Sequence, residues 1–272
     1  IRVMEPKTDI LKDLNPEQKK AVTHAKGPLL IVAGAGTGKT TVITRRLAWL
    51  VMEQGLRSDQ ILALTFTNKA ADEMLERVDR LLPYGYVDLW VSTFHTFCQR
   101  VLDSHALDIG LPGDVELLDG TGQWLLVREN LRKFNLDYYQ PTNNPTKFIR
   151  SMLTHFSRLK DEEITPQSYL AYAEGLKLSG DDAEAPGGSV AELANAFHTY
   201  QQLLLDNNKM DFGDLINYTL KLFRERPNVL KKYQEQFKHV LVDEFQDTNW
   251  AQYELVKMLS LPQDNLTVVA DD

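Results

Sequence analysis

Cysteine is nearly absent from this sequence of 272 residues, because Cys98 is the single example. An internal disulfide is therefore impossible, and the composition suits the reducing conditions of the cytoplasm. No apolar run approaches the roughly 20 residues of a membrane-spanning helix, and no basic-then-apolar signal pattern opens the chain. We therefore expect a cytoplasmic protein without membrane contact. The chain begins at Ile1 instead of methionine, which suggests a trimmed chain.

An excess of positive charge is also absent. The net charge is −8, which argues against nonspecific coating of duplex nucleic acid. The charge is uneven, since residues 1–110 hold 14 Lys and Arg against 13 Asp and Glu, and the remainder holds 16 against 25. A local strand-binding groove is therefore expected in the near-neutral first part of the chain.

Residues 29–41 combine a strand-like apolar run, three glycines at alternate positions and a following helical pattern. The glycines let the backbone turn its N–H groups toward one polyanion, and the helix that follows adds its positive dipole end. Lys39 is placed to reach outer phosphates, and the Thr40 hydroxyl to hold Mg²⁺. The strict pattern G-x-x-x-x-G-K-[ST] fails at its first position, which is Ala33. A glycine-rich turn that happens to precede a lysine is the alternative.

Short apolar runs alternate with helical patterns in the two ends of the chain. The predicted strands are a run from Leu29 and residues 61–66, 89–93, 239–243 and 266–270, with helices predicted at 40–54, 68–82, 94–105, 211–223 and 248–259. Runs such as 61–66 show almost no alternation, which is typical of parallel strands covered on both faces. The pattern predicts a doubly wound parallel sheet with ligands at the carboxyl ends of its strands.

The middle of the chain is different, because residues 106–208 show helical patterns and no credible buried strand. Helices are predicted at 123–134, 145–160, 166–174 and 190–206, with a flexible polar loop at 179–189. We therefore predict an all-helical subdomain, residues 106–208, inserted into an α/β domain formed by residues 1–105 and 209–272.

Two carboxylates follow the predicted strand near residue 240, in the segment His-Val-Leu-Val-Asp-Glu-Phe-Gln-Asp. Carboxylates at the end of a buried strand cost free energy unless a cation is near, and nucleotide-bound Mg²⁺ supplies one. Asp243 is the expected Mg²⁺ partner, and Glu244 is placed to accept a proton from attacking water. A solvated strand end is the alternative. We expect this pair and the glycine loop on adjacent strand ends, forming one phosphoryl-transfer site.

The first helix carries a complete start signal. Asn15 suits the N-cap, Pro16 suits the first helical position, and Gln18 lies three residues after the cap. The pattern alone favours Gln18 as a capping-box side chain bonded back to Asn15, over a ligand contact.

Taken in order, these motifs resemble the front half of the superfamily 1 DNA helicases of the UvrD/Rep/PcrA type. The similar segments are residues 14–18, 33–40, 64–71, 92–95, 210–215, 242–248 and 268–272. The first is similar to the family's adenine-recognising glutamine motif, and the third to fifth to its motifs that contact single-stranded DNA. Thr41 and Gly213 depart from the family pattern, which often has an arginine and an acidic residue there.

The resemblance implies a RecA-like P-loop NTPase domain that uses ATP and Mg²⁺, with the helical insertion as its accessory subdomain. It also implies 3′-to-5′ movement on single-stranded DNA and contact with single-strand/duplex junctions in the parent protein. Gln18 becomes an adenine contact, Thr40 and Asp243 metal ligands, and Lys39 and Glu244 catalytic residues. The implied ATP contacts are Gln18, Ala33, Gly34, Ala35, Gly36, Thr37, Gly38, Lys39, Thr40 and Thr41.

The same resemblance implies DNA contacts by Thr65, Phe66, Asn68, Thr93, Phe94, His95, Asp211 and Phe212. Phe66 and Phe94 offer apolar faces to unstacked bases, and neighbouring polar side chains offer hydrogen bonds to the DNA backbone. The alternatives are ordinary core packing for the two phenylalanines and a plain helix-start role for His95.

The resemblance further implies a second RecA-like domain, missing from this chain, whose arginines reach the γ-phosphate. Such arginines are worth about 10³ to 10⁵ in rate in related phosphoryl transfer. We therefore expect an N-terminal ATP-binding fragment that hydrolyses ATP very slowly and does not separate strands alone. Two alternatives are the helicase subunit of a helicase–nuclease and a noncatalytic P-loop switch. Glu244 argues against the switch, because a switch needs no water-activating carboxylate.

Overall fold

The computed structural model describes residues 9–34, 36–82, 89–139, 143–179 and 190–272. These residues form two compact units. The first contains the described residues up to Phe97 with Phe223–Thr248 and Gln252–Asp272, and the second contains Cys98–Leu222 with Asn249–Ala251. The domain boundaries at 105/106 and 208/209 stay a prediction, since the compact units group residues 98–105 and 209–222 with the helical residues.

In chain order the strands are β1 (Leu29–Val32), β2 (Ile61–Thr65), β3 (Trp90–Thr93), β4 (Glu116–Leu118), β5 (Lys209–Asp211), β6 (His239–Val242) and β7 (Leu266–Ala270). The α-helices are α1 (Pro16–Val22), α2 (Lys39–Met52), α3 (Asn68–Asp79), α4 (Phe94–His105), α5 (Gly120–Glu129), α6 (Ile149–Asp161), α7 (Pro166–Ser179), α8 (Val190–Asp206), α9 (Phe212–Glu225), α10 (Pro227–Gln236) and α11 (Trp250–Ser260). Within the described ranges, every helix is too short or too polar to cross a membrane.

The first unit is built on a five-stranded sheet in which all neighbours are parallel. Its order is β1-β7-β6-β2-β3, with Val32 opposite Ala270 and Val242 opposite Val268. Because all strands run the same way, their carboxyl ends lie along one edge, where ligands of α/β proteins bind. The predicted parallel α/β sheet is confirmed, and its five strands are those expected from the apolar runs.

Two details of this unit differ from the sequence interpretation. The strand β1 lies at the sheet edge and alternates, with Leu30 63% and Val32 53% exposed, whereas β2 is buried throughout. The helix α10 was not predicted. Its buried residues are Val229 and Tyr233, a pattern too short to stand out in the sequence.

A buried arginine ties α1 to the sheet. Arg46 of α2 is fully buried, and its Nη1 donates to the carbonyl oxygens of Ala21, Val22 and His24, while its Nε donates to Thr267 Oγ1. Burial lowers the pKa of Arg46 to about 10. These bonds hold the end of α1 against α2 and β7, and α1 carries the candidate adenine contact Gln18.

Close to Arg46, the first residue of β6 is a buried histidine. His239 is 6% exposed, and its Nδ1 has no hydrogen-bond partner in the described residues. Burial, followed by the charge of Arg46 and the neighbouring His24, lowers the pKa of His239 to about 4. The folded protein therefore keeps this imidazole neutral in mildly acidic solution, where an unfolded chain protonates it.

We expect His239 to make stability fall as the pH drops from about 6.5 toward 4, because only the unfolded state takes up the proton. The loss approaches about 3 kcal/mol at the lower end. Urea unfolding followed by circular dichroism between pH 4.5 and 7.5 should give a flatter profile for His239→Gln than for the parent. His198→Gln, at an exposed position, is the control. A parent–variant difference that stays constant across this range would contradict the assignment.

The second unit packs helices around an aromatic core. The ring of Phe156 lies 5.2 Å from that of Phe197 and 5.4 Å from that of Tyr200. A parallel pair of strands, β4 and β5, belongs to the same unit. The predicted all-helical character of residues 106–208 is therefore corrected by β4, a three-residue strand in which only Leu118 is buried. A strand this short shows no alternation in the sequence. The predicted loop 179–189 lies outside the described residues except for Ser179, which ends α7.

A buried ionic cluster fixes the junction of β5 and α9 in this unit. Lys160 Nζ lies 2.7 Å from Asp211 Oδ2 and 2.8 Å from Asp214 Oδ1, and the Tyr200 hydroxyl donates to Asp211 Oδ2 at 2.9 Å. Lys160, Asp211 and Asp214 are all buried. Burial alone lowers the pKa of Lys160, but the two carboxylates outweigh it and raise that pKa above its usual range. The ammonium group is therefore held in place by charge.

Gly213, between the two aspartates, leaves room for the stem of Lys160. A Cβ atom at Gly213 would lie 2.9 Å from Lys160 Cδ and 3.0 Å from Lys160 Cβ. Since the ion pairs anchor Lys160, this stem has little freedom to move away. The glycine found where the family often has an acidic residue therefore has a steric reason in this chain.

We expect Gly213→Ala to destabilise the protein by about 1–3 kcal/mol through overpacking against Lys160, although alanine is the better helix former. Gly175→Ala is the matched control. It lies in α7 with no atom within 4 Å of the added Cβ, so it should stabilise by up to about 1 kcal/mol. Chemical denaturation of both variants measures the contrast, and equal effects of one sign would rule out the steric explanation.

Candidate nucleotide-binding and strand-contact sites

The segment after β1 forms a tight loop rich in glycine. Its first N–H, that of Ala33, donates to the Ala270 carbonyl of β7 at 3.2 Å. Gly36 and Gly38 have φ of 77° and 92°, a region that glycine adopts without strain. Thr37 donates through its N–H (3.3 Å) and its hydroxyl (2.7 Å) to the Gly34 carbonyl. Ala35, also predicted as an ATP contact, lies outside the described residues.

This loop leads directly into the amino terminus of α2. Gly38 is the N-cap, without a side-chain cap, and the first turn holds no acidic residue. The backbone N–H groups of the first turn are therefore available to an anion at the positive end of the helix dipole. Lys39 Nζ donates to the Ala33 carbonyl at 3.1 Å and forms an ion pair with Asp271. Thr40 and Thr41 follow in the same turn and are half-buried.

Gln18 fulfils the capping role and also contacts the loop. Its Oε1 accepts from Asn15 N–H at 3.0 Å and Asn15 Oδ1 accepts from Gln18 N–H at 2.8 Å, which is the capping box. Its Nε2 donates to the Thr37 carbonyl at 3.0 Å. The two explanations of Gln18 are therefore compatible, and α1 is joined to the glycine loop through this amide. The adenine contact stays a prediction.

Asp243 lies at the carboxyl end of β6 and is 6% exposed. Burial raises the pKa of Asp243, and the charge of the neighbouring Glu244 carboxylate raises it further. Two groups lower this pKa: the Glu244 N–H, which lies 3.1 Å from Asp243 Oδ1, and the charge of Lys39. Lys39 and Asp243 therefore lie within electrostatic reach of one another. Lys39 and Asp243 thus belong to the same unit and the same edge of its sheet. Their sharing of one nucleotide site stays a prediction.

The expectation that these groups lie on adjacent strand ends is wrong in one detail. The strand β7 lies between β1 and β6, and Asp271, the first residue after it, pairs with Lys39. Asp271 received no role from the sequence, although it carries the same signal as Asp243, a carboxylate directly after an apolar strand. Gln246, whose contacts are described below, was also missed.

The predicted strand-contact residues of the first unit divide into buried and accessible side chains. Thr65 and Phe94 are 1% exposed and Thr93 is 6% exposed. The Thr93 hydroxyl accepts from the Thr96 N–H at 3.1 Å, which caps the start of α4. None of these three side chains has enough exposed surface to contact a base. For Phe94, the structure therefore agrees with the alternative of ordinary core packing.

Three of the predicted contact residues of the first unit remain accessible. Phe66 is half-buried, with its ring 5.4 Å from that of Phe94 at an angle of 52°, so Phe94 supports it from the core. Asn68 is exposed at the first position of α3. His95 is half-buried at the start of α4, and burial lowers its pKa. Direct DNA contact stays a prediction for all three.

In the second unit, Asp211 and Phe212 differ in the same way. Asp211 is buried in the cluster with Lys160, whereas Phe212 is 45% exposed. The predicted DNA contact by Asp211 is not supported by this placement, because its Oδ2 accepts from Lys160 and Tyr200.

No group of three or more His, Cys, Asp or Glu side chains within the described ranges is arranged to hold a metal ion. A magnesium ion bound with nucleotide takes one or two carboxylates and the substrate's phosphates, and such a site stays a prediction here. The donors on offer are the buried Asp243 carboxylate and the Thr40 hydroxyl.

Comparison with known proteins identifies the family. The model of the UvrD/REP helicase N-terminal domain matches residues 14–272. The chain is 42% identical over 264 residues to the ATP-dependent DNA helicase PcrA of Bacillus subtilis, covering 96% of this chain and 33% of that protein. It is 41% identical to PcrA of Staphylococcus aureus, with 96% and 33% covered, and 40% identical to a probable DNA helicase II homolog of Rickettsia felis, with 97% and 38% covered.

The chain thus spans about a third of the length of the PcrA relatives. The match over residues 14–272 covers the glycine loop, the acidic motif and the helical residues between them. With this match and the parallel sheet that carries the motifs, the chain belongs to the UvrD/REP helicase N-terminal domain family.

Proposed function

We propose that this chain is the ATP-binding part of a DNA helicase that moves 3′ to 5′ along single-stranded DNA. The observation that carries the proposal is the convergence of Lys39 and Asp243 at one edge of the sheet, with the open amino terminus of α2 beside them. The similarity to relatives named as ATP-dependent DNA helicases supports the same proposal. Because the chain spans a third of PcrA, strand separation is assigned to the whole protein.

In the proposed site, the N–H groups of the glycine loop that have no internal partner and those of the first turn of α2 surround the phosphates, and Lys39 contacts the outer ones. Gln18, fixed by α1 and the loop, faces the adenine. Thr40 and Asp243 hold Mg²⁺, which supplies charge neutralisation of the phosphates. The buried Asp243 fits this role, since burial penalises its charge and a bound cation offsets that penalty.

Glu244 is the proposed proton acceptor. It lies directly after Asp243, at the sheet edge that carries Lys39, and is half-buried. Glu244 takes a proton from water as the water oxygen attacks the γ-phosphorus and the bond to the β-phosphate oxygen breaks. Arginines from a second RecA-like domain complete the charge stabilisation, so slow hydrolysis is expected for the 272-residue chain by itself.

The proposed contacts with DNA rest on the accessible side chains. Phe66 stacks on an unstacked base, with Phe94 as its support, and Asn68 and His95 bind the DNA backbone. On the second unit, Phe212 is the exposed member of the predicted motif and offers a further apolar face, and Asp211 keeps its place through Lys160. The α/β unit is the proposed motor domain and the helical unit its accessory subdomain, acting on single strands and at junctions with duplex.

We expect Lys39→Ala to abolish nucleotide binding, raising the dissociation constant more than tenfold, because a charge-assisted contact to phosphate is lost. Titration of the 272-residue chain with a fluorescent ATP analogue in Mg²⁺ buffer measures this. Lys231→Ala, an exposed lysine of α10, should bind like the parent. Unchanged titration of the Lys39 variant would remove this lysine from the site.

We expect Phe66→Ala to weaken binding of a fluorescein-labelled oligo-dT about 5- to 100-fold, since stacking on one base is worth about 1–3 kcal/mol. Fluorescence anisotropy of the chain measures this, and Tyr172→Ala, an aromatic residue 59% exposed on the second unit, is the control. In the whole protein, oligo-dT should stimulate ATP hydrolysis. Indifference of hydrolysis to DNA would favour a nucleotide switch instead of a motor.

A further inference from the structure

The carboxamide of Gln246 bridges two strand ends of the first unit. Its Nε2 donates to Glu244 Oε2 at 2.8 Å, and its Oε1 accepts from the Asp271 N–H at 3.1 Å. Gln246 lies in the 3-10 turn Phe245–Asp247 that follows β6, and Asp271 follows β7. One side chain therefore joins the candidate proton acceptor to the strand end whose carboxylate pairs with Lys39.

The chemistry of the two neighbours fixes the orientation of this amide. A backbone N–H only donates, so the amide oxygen of Gln246 faces Asp271. An ionised carboxylate only accepts, so the amide nitrogen faces Glu244. If the amide were rotated by 180°, its nitrogen would face the Asp271 N–H and its oxygen would face the Glu244 carboxylate, and neither pair could form a hydrogen bond. Because Gln246 is exposed, these two bonds, rather than packing, hold its side chain.

Glu244 depends on this bond for its side-chain position. Its backbone, with φ of 51°, is held by two hydrogen bonds. Its N–H donates to Asp243 Oδ1 at 3.1 Å, and its carbonyl accepts from the Asp247 N–H at 2.9 Å. Within the described residues, the bond from Gln246 is the side-chain hydrogen bond that Glu244 makes. A glutamate held at the backbone alone samples several rotamers, and most of them point its carboxylate elsewhere.

We infer that Gln246 is a positioning residue for ATP hydrolysis. It acts by holding the Glu244 carboxylate beside the end of β7, where Asp271 lies. The inference rests on the proposed function, because it assumes that Glu244 activates water. Gln246 touches neither the phosphate loop nor Lys39 in the described contacts, so its removal should affect the hydrolysis step and spare nucleotide binding.

The test is a double-mutant cycle in the whole protein with oligo-dT bound. Gln246→Glu keeps an acceptor for the Asp271 N–H but loses the donor toward Glu244 and adds a like charge beside it. Single-turnover hydrolysis of radiolabelled ATP, followed over hours so that residual rates are measurable, should slow about tenfold or more. The dissociation constant for nucleotide and the melting temperature should stay close to those of the parent.

The cycle is completed in the Glu244→Gln background. If Gln246 acts through Glu244, the substitution Gln246→Glu should change the residual rate there by less than about twofold, since the group it positions is already gone. Gln54→Glu, which adds the same charge at an exposed position after α2, should leave the hydrolysis rate of each background unchanged.

Three results would overturn the inference. These are a rate for Gln246→Glu within about twofold of the parent, an equal slowing in both backgrounds, and a loss of nucleotide binding as large as the loss of rate. Glu244→Gln separates this failure from failure of the proposed function. If Glu244→Gln hydrolyses ATP as fast as the parent, Glu244 is not the proton acceptor. If Glu244→Gln is inactive while Gln246→Glu hydrolyses ATP like the parent, only the role proposed for Gln246 is wrong.

Discussion

Parallel pairing of β7 between β1 and β6 is the constraint on which the nucleotide site depends. Because the three strands run the same way, the residues that follow them emerge at one edge of the sheet. Lys39 comes from the loop after β1, Asp271 from the end of β7 and Asp243 from the end of β6. One cation and two carboxylates from distant parts of the chain therefore lie along the same edge of the sheet.

Buried charges set the position of functional groups in both units. In the first, Arg46 holds α1 through backbone carbonyls, and α1 holds Gln18 against the glycine loop. In the second, Lys160 pairs with Asp211 and Asp214 and so fixes the residues on either side of Phe212. Arg46 is compensated by carbonyl oxygens and the Thr267 hydroxyl, and Lys160 by two carboxylates, since a buried charge is costly without such partners. In each case the group that is positioned lies at or near the surface.

The sequence interpretation succeeded where one short segment carries its own signal. Apolar runs predicted the five core strands, and the glycine loop before Lys39 predicted the start of α2. It was less successful for side chains whose direction depends on packing. Phe66 and Phe94 look alike at the ends of apolar runs, yet Phe94 is 1% exposed and supports Phe66. The three residues of β4 were missed because their pairing with β5 is a contact between distant segments.

The sequence by itself determined the residues available for chemistry, namely the glycine loop with Lys39, the carboxylate pair Asp243 and Glu244, and the order of motifs that marks the family. It did so because strand, loop and helix signals are local, read within about ten residues. The tertiary structure alone decided which of these groups meet. It inserted β7 between the two motifs, turned Asp271 toward Lys39, and placed the Gln246 amide between Glu244 and β7. Those contacts join residues far apart in the chain, and strand order, which no local pattern encodes, brings them together.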